Sequence, residues 1–127
     1  MVYPENLSYA KSHEWIEVST DGSVSIGITE FAADSLGGIV FINLPEVGDS
    51  VTALESFADI ESVKAVSDIL SPVTGKIIEV NEPLKDSPEL INSDPYSAWF
   101  IRVDKITERE DLMDSDAYAE FCESDGH

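Results

Sequence analysis

Apolar and polar side chains alternate at short period along most of this chain, and helical rhythm appears in only a few places. Residues 7 to 18 (Leu7 to Val18) read as an extended segment carrying Tyr9 and Trp15. Asp21-Gly22 is a hairpin turn signal between Glu17-Val18 and Val24-Ser25-Ile26. Thr29 has the form of an N-cap for a short helix near residues 30–36, closed by Gly37-Gly38, with Glu30 favouring its positive end. Ile39 to Leu44 is an apolar run that reads as a core strand, ended by Pro45; Gly48-Asp49 then turns the chain into Val51. From Val51 to Val80, short strands alternate with turn residues, the pattern of a β-sandwich or small barrel.

Within that region two strand-like runs flank one lysine, Lys64, in Asp59-Ile60-Glu61-Ser62-Val63-Lys64-Ala65-Val66-Ser67-Asp68-Ile69-Leu70. Paired antiparallel, they form a hairpin over about 57–71 with its reversal at or beside Lys64. Ser87-Pro88-Glu89-Leu90 predicts a cap and a proline-started turn of helix, and Asn92 to Tyr96 a loop. Trp99 to Val103 predicts a closing strand, with Trp99 a core residue. Thr107-Glu108-Arg109-Glu110 has the form of a capping box, and Leu112, Met113, Ala117 and Phe121 continue it as a helical stripe, giving a C-terminal helix near 108–121.

The 127 residues suffice for a single domain with its own core, taken here as 1–127. The formal net charge of −19 changes the picture of partners. Phosphate-rich surfaces are repelled, so neither nucleic acid nor an anionic membrane is expected, whereas proteins with basic docking patches are steered in. No apolar run is long enough to span a bilayer, and the first residues carry no basic leader pattern. A cytoplasmic monomer is the expectation, with a mature protein of the mitochondrial matrix as the alternative.

Little here resembles a catalytic apparatus. Cys122 is the only cysteine, so an intramolecular disulfide and a Cys-based metal site are excluded, and its acidic neighbours argue against a nucleophilic role. His13 beside Glu14 supplies too few ligands for zinc, because the only other histidine is His127; a strand with a polar face is the simpler reading. There is no phosphate-cradling loop or nucleophile elbow. What remains is a displayed amine. Lysine on a flexible stem can carry an amide, form a Schiff base, or remain a surface charge.

Glu61-Ser62-Val63-Lys64-Ala65, followed by Ser67-Asp68 and Ser71-Pro72, resembles the lipoyl-lysine signature of the glycine cleavage system H protein family. Ser12-His13-Glu14-Trp15, Gly27-Ile28-Thr29, Leu44-Pro45-Glu46-Val47-Gly48, Glu79-Val80-Asn81 and Pro88 to Asn92 resemble the same family in order and at its spacing. So do Asp94-Pro95-Tyr96 and Ala98-Trp99. The likeness runs over roughly residues 7 to 121.

That resemblance implies a mainly β fold: a lipoyl/biotinyl-type β-sandwich, or barrel-sandwich hybrid, of two similar halves about the central turn. It implies a non-catalytic carrier with lipoate attached as N6-lipoyllysine at Lys64, and Glu61 read by the lipoate-attaching enzymes. Ser12, Glu14 and Asp68 would line the cleft that receives the loaded arm. The implied partners are a pyridoxal-phosphate glycine decarboxylase (P protein), a tetrahydrofolate-dependent aminomethyltransferase (T protein) and dihydrolipoamide dehydrogenase (L protein). The carrier would shuttle the aminomethyl group of glycine from the first to the second and be reoxidised by the third.

Several positions depart from the family pattern. Leu54 and Gly38 stand where glycine and an acid are usual, Phe31 takes a place often held by histidine, and Ser35 replaces a frequently larger residue. Two other classes compete: a carrier of the same fold or lipoyl donor serving another pathway, and an unmodified binding module. Val63 and Ala65 flank the lysine, against the Asp of acyltransferase lipoyl domains and the Met of biotinyl ones.

Overall fold

In the computed structural model, which describes residues 1–124, the chain folds as two β-sheets closed over one core. His127 lies outside the described residues. The strands are β1 (Ser8–Tyr9), β2 (Glu14–Val18), β3 (Val24–Ile28), β4 (Ile39–Asn43), β5 (Ser50–Val51), β6 (Ser56–Ser62), β7 (Val66–Leu70), β8 (Val73–Val80) and β9 (Ile101–Arg109). The helices are α1 (Glu30–Leu36), α2 (Pro83–Asp86), α3 (Leu90–Ser93) and α4 (Ser115–Ser124). A six-stranded sheet runs in the order β1-β2-β3-β9-β8-β5 and a three-stranded one in the order β4-β6-β7. Every ladder between these strands is antiparallel.

The inward residues of both sheets, among them Ile26, Ile60, Ile77, Ile101 and Val103, are buried together, as alternation requires of a sandwich. Trp15 and Ile16 point to opposite faces of β2, so a second cluster forms on the far side of the larger sheet. There Leu7, Tyr9 and Trp15 pack against Tyr118 and Cys122 of α4, with Trp99 partly buried beside them. Gly75 is required where β8 crosses β9 closely: a Cβ on it would lie 2.5 Å from the Asp104 carbonyl oxygen.

Where signals were local, the expectations hold. Thr29 caps α1 by accepting from Ala32 N–H, and Gly37 at φ +78° ends it. The proline-started turn also holds: Leu90 N–H donates to the Ser87 carbonyl and Ile91 N–H to the Pro88 carbonyl, both at 3.1 Å, and the turn runs into α3. Two expectations are corrected. Thr107 to Arg109 continue β9 rather than open a helix, because Val73 and Thr74 pair with Arg109 and Glu108 and a ladder satisfies backbone groups that a capping box would leave free. The C-terminal helix starts at Ser115, with Asp114 Oδ1 accepting from Ala117 N–H at 2.8 Å. Finally, the run from Ile39 is only half core. Ile39 and Ile42 are buried, and Val40 and Phe41 face solvent.

Candidate functional site

The hairpin of β6 and β7 reverses through Val63-Lys64-Ala65. Its closure depends on Ser62. The Ser62 backbone N–H donates to the Ala65 carbonyl at 2.8 Å, and Ser62 Oγ accepts from the N–H groups of Lys64 and Ala65 at 3.2 and 3.1 Å. A serine side chain that takes up two turn donors fixes a tight reversal. It leaves Lys64 at the tip, exposed and in no ion pair among the described residues.

The tip is supported from behind. Val63 N–H donates to the Gly38 carbonyl at 3.0 Å, and a Cβ on Gly37 would lie 3.4 Å from Cε of Lys64. The aliphatic stem of the lysine therefore rests on the bare corner between α1 and β4. Asn92 in turn clamps this corner, bonding Gly37 and Ile39. Ser62 carried a readable turn signal, a hydroxyl two residues before the tip. Asn92 carried none, because its role depends on a contact across 55 positions of sequence.

Glu61 is exposed on β6, directly across from Val66 on one side and Phe41 on the other. Asp68 is exposed on β7. Val66, Asp68 and Leu70 fall on one side of that strand, which covers about 14 Å at ~3.4 Å per residue. The strand ends at a cleft of ≈ 220 Å³ lined by Ala10, Lys11, Ser12, Leu54, Leu70, Ser71, Pro72, Glu110 and Asp111. Ser12 thus lines the cleft, and Asp68 stands between it and the lysine turn. Leu54 on its rim has φ +71°, a left-handed backbone that disfavours a branched side chain.

Glu14 and His13 depart from the expected polar strand face: Glu14 is held by Ser12 and the Leu70 backbone, and His13 packs against Phe31, Tyr118 and Phe121. Glu14 is 2% exposed. It accepts a short hydrogen bond from Ser12 Oγ and another from the Leu70 backbone N–H. Burial pushes its carboxyl up to about 7, although those bonds and one from its own N–H pull the other way. Such a carboxyl exchanges its proton near neutrality and becomes a firm anion when a cation approaches. His13, at φ +74°, stacks on Phe31 at 4.7 Å and meets the Tyr118 hydroxyl at 2.7 Å through Nδ1, so it belongs to the aromatic cluster and not to the cleft. Among the described residues no group of three or more His, Cys, Asp or Glu side chains is arranged to hold a metal ion.

Known proteins of this kind are numerous. A family model described as glycine cleavage H-protein matches residues 7–125. The chain is 53% identical over 125 residues to the glycine cleavage system H protein of Shewanella frigidimarina, covering 96% of this chain and 97% of the relative. It is 48% identical over 121 residues to that of Lachnoclostridium phytofermentans, covering 95% of each. It is 50% identical to a probable glycine cleavage system H protein of Pyrococcus abyssi, covering 94% and 92%. The crystal structure of a glycine cleavage system H protein from Mycobacterium marinum superposes with a TM-score of 0.87 at 39% identity, over 98% of this chain and 100% of the other.

Proposed function

The chain belongs to the glycine cleavage H-protein family, and from that premise we propose that it carries lipoate as an amide on Lys64 within glycine cleavage. Its fold is the lipoyl-type β-sandwich and its role that of a carrier subunit, not an enzyme. The observation that carries the site assignment is the exposed Lys64 amine on a turn pinned by Ser62 and backed by Gly37 and Gly38.

The residues present fit the group. A primary amine with no ion-pair partner among the described residues is free to be acylated, and along the strand that leaves the turn lies a cleft whose lining residues Ser12 and Leu70 both bond the buried Glu14 carboxyl behind them. When bound, lipoate would supply a dithiolane whose disulfide opens to accept the aminomethyl group of glycine and, once that group has left, is restored by the two-electron oxidation that dihydrolipoamide dehydrogenase performs. The chain itself contributes delivery and shelter. Ser12 and Glu14 would hold a cationic end group in the cleft, with Glu14 giving up its proton as the cation enters. Asp68 would draw the arm along β7, and Glu61 would be read during attachment.

On this reading the carrier, as a monomer in the cytoplasm, meets glycine decarboxylase, aminomethyltransferase and dihydrolipoamide dehydrogenase in turn, and a lipoate-attaching enzyme before them. Among the described residues no helix is long and apolar enough to cross a membrane.

The test is the intact mass of the protein from its own cells, with peptide mapping around Lys64. One lipoyl increment on Lys64, absent in Lys64→Arg, is the expected result. An unmodified Lys64 in cells with working lipoylation would overturn the assignment.

A further inference from the structure

Two features of the three-stranded sheet run against what folding alone favours, and they lie on the same outer face. The first is apolar. A bulge sets two steps of β4, Ile39 to Phe41, against one step of β6, Ser62 to Glu61. The extra residue turns both Val40 and Phe41 outward, 55% and 46% exposed, and re-aiming side chains in this way is a recognised use of bulges. Phe41 then lies beside Glu61, and Glu61 beside Val66, in one row across the sheet; Val63 projects from the turn at its end.

The second is electrostatic. In the next outward row Asn43 pairs with Asp59, and Asp59 lies directly across from Asp68. Like charges facing across a ladder are destabilising. No cation pairs with either aspartate among the described residues, where the ion pairs are Lys85–Glu82 and Arg102–Glu79.

We propose that this face, with Phe41 as its apolar anchor and Glu61, Asp59 and Asp68 as its acidic rim, is the docking surface for the enzyme that attaches lipoate to Lys64. The inference rests on the lipoyl reading above. The matching surface on that enzyme is an apolar seat edged by Lys or Arg. The geometry of the task selects the occupant. The bare amine stands only four methylenes from the backbone, so an active site closing on it meets Val63, Val66 and Phe41 in the same approach. Enzymes that act on the far end of a finished arm can stand off by its length.

The experiment uses the unlipoylated full chain with a lipoate–protein ligase, free lipoate and ATP, following initial rates by intact mass at varied carrier concentration. Phe41→Ala is expected to raise KM about tenfold with kcat within about twofold, the scale of an interface anchor. Val18→Ala, an equally exposed apolar truncation on the other sheet, is expected to leave KM unchanged. Asp59→Asn with Asp68→Asn is expected to raise KM and to weaken its dependence on salt. Circular dichroism confirms folding, and Val66→Ser repeats the test should Phe41→Ala lose structure.

A wild-type KM in Phe41→Ala or Val66→Ser, or an equal loss in Val18→Ala, overturns the docking face alone. So does an effect confined to one of the glycine cleavage enzymes, which would assign the face to that enzyme. A wild-type chain that takes no lipoate at Lys64 overturns the carrier reading as well.

Discussion

The side-chain amide of Asn92 donates to the Gly37 carbonyl at 2.9 Å, while its oxygen accepts from Ile39 N–H at 2.8 Å. One side chain thereby spans both ends of the Gly37-Gly38 corner. The stem of Lys64 and the backbone of Val63 rest on that same corner. The displayed lysine therefore depends on a residue of α3 that makes no direct contact with the turn in this hydrogen-bond network.

Removing the clamp should loosen the lysine turn more than the fold. Asn92→Ala deletes two hydrogen bonds at a partly exposed site, a loss of about 1–2 kcal/mol in urea denaturation. Asn92→Asp keeps the acceptor for Ile39 and should recover part of this. Hydrogen exchange at Val63 N–H, bonded to the Gly38 carbonyl, should quicken in Asn92→Ala. Unchanged exchange there would show that the turn holds its place without the clamp.

Glu14 gives the fold a pH dependence of unusual sign for a carboxylate. Its folded value lies near 7, above the ordinary value of 4.5. Between those limits the folded state holds a proton that the unfolded chain has released, so the stability due to protonated Glu14 is fully present below 4.5 and is lost as pH rises through 7. A shift of this size at a buried group corresponds to roughly 3 kcal/mol. Glu14→Gln cannot ionise and should lack this loss. The comparison is between urea midpoints of the two proteins at pH 5 and pH 8. If their difference does not change with pH, Glu14 is ionised throughout.

The parts of the site legible from sequence are those whose cause is local. Thr29 and Gly37 bound α1 by capping rules, and alternation on both sides of Lys64 locates the hairpin. Leu54 stood out only by departing from a family glycine, and its φ of +71° supplies the physical reason for a glycine there. Other features are fixed at a distance. Whether Thr107 begins a helix or extends β9 is decided by Val73 and Thr74, some thirty residues upstream. Phe41 leaves the core through a bulge that only the register with β6 defines, and Glu14 is buried, and His13 half-buried, by segments that meet them only in the folded chain.

Gly27 should tolerate no side chain. Paired with Trp15 across β2 and β3, it lies beneath the indole, and a Cβ would stand 2.6 Å from the ring carbons. The ring cannot move aside freely, since its Nε1 donates to the Pro95 carbonyl at 3.0 Å. Gly27→Ala should cost about 1–3 kcal/mol by overpacking. It should also change the tryptophan emission, because the indole is pushed from its buried partner. An unaltered spectrum with wild-type stability would contradict this account of Trp15.

The Tyr118 hydroxyl lies 2.7 Å from both His13 Nδ1 and Thr29 Oγ1, and so ties α4 to the entry of β2 and the cap of α1. Burial lowers the His13 pKa below its ordinary 6.5, the reverse of the effect at its neighbour Glu14. Below 6.5 the unfolded chain takes up the proton first. The stability due to neutral His13 is therefore present above 6.5 and lost as pH falls through its folded value. An NMR titration of the His13 ring should give a midpoint under 6.5, and α4 should become less protected from exchange over the same range. Tyr118→Phe leaves the half-buried His13 ring nitrogen and the buried Thr29 hydroxyl without this partner and should cost roughly 1–3 kcal/mol. Because Thr29 also caps α1, whose far end carries the Gly37 corner, the same variant should quicken exchange at Val63. A His13 midpoint at or above 6.5 would refute the burial argument, and unchanged exchange at Val63 would confine Tyr118 to holding α4.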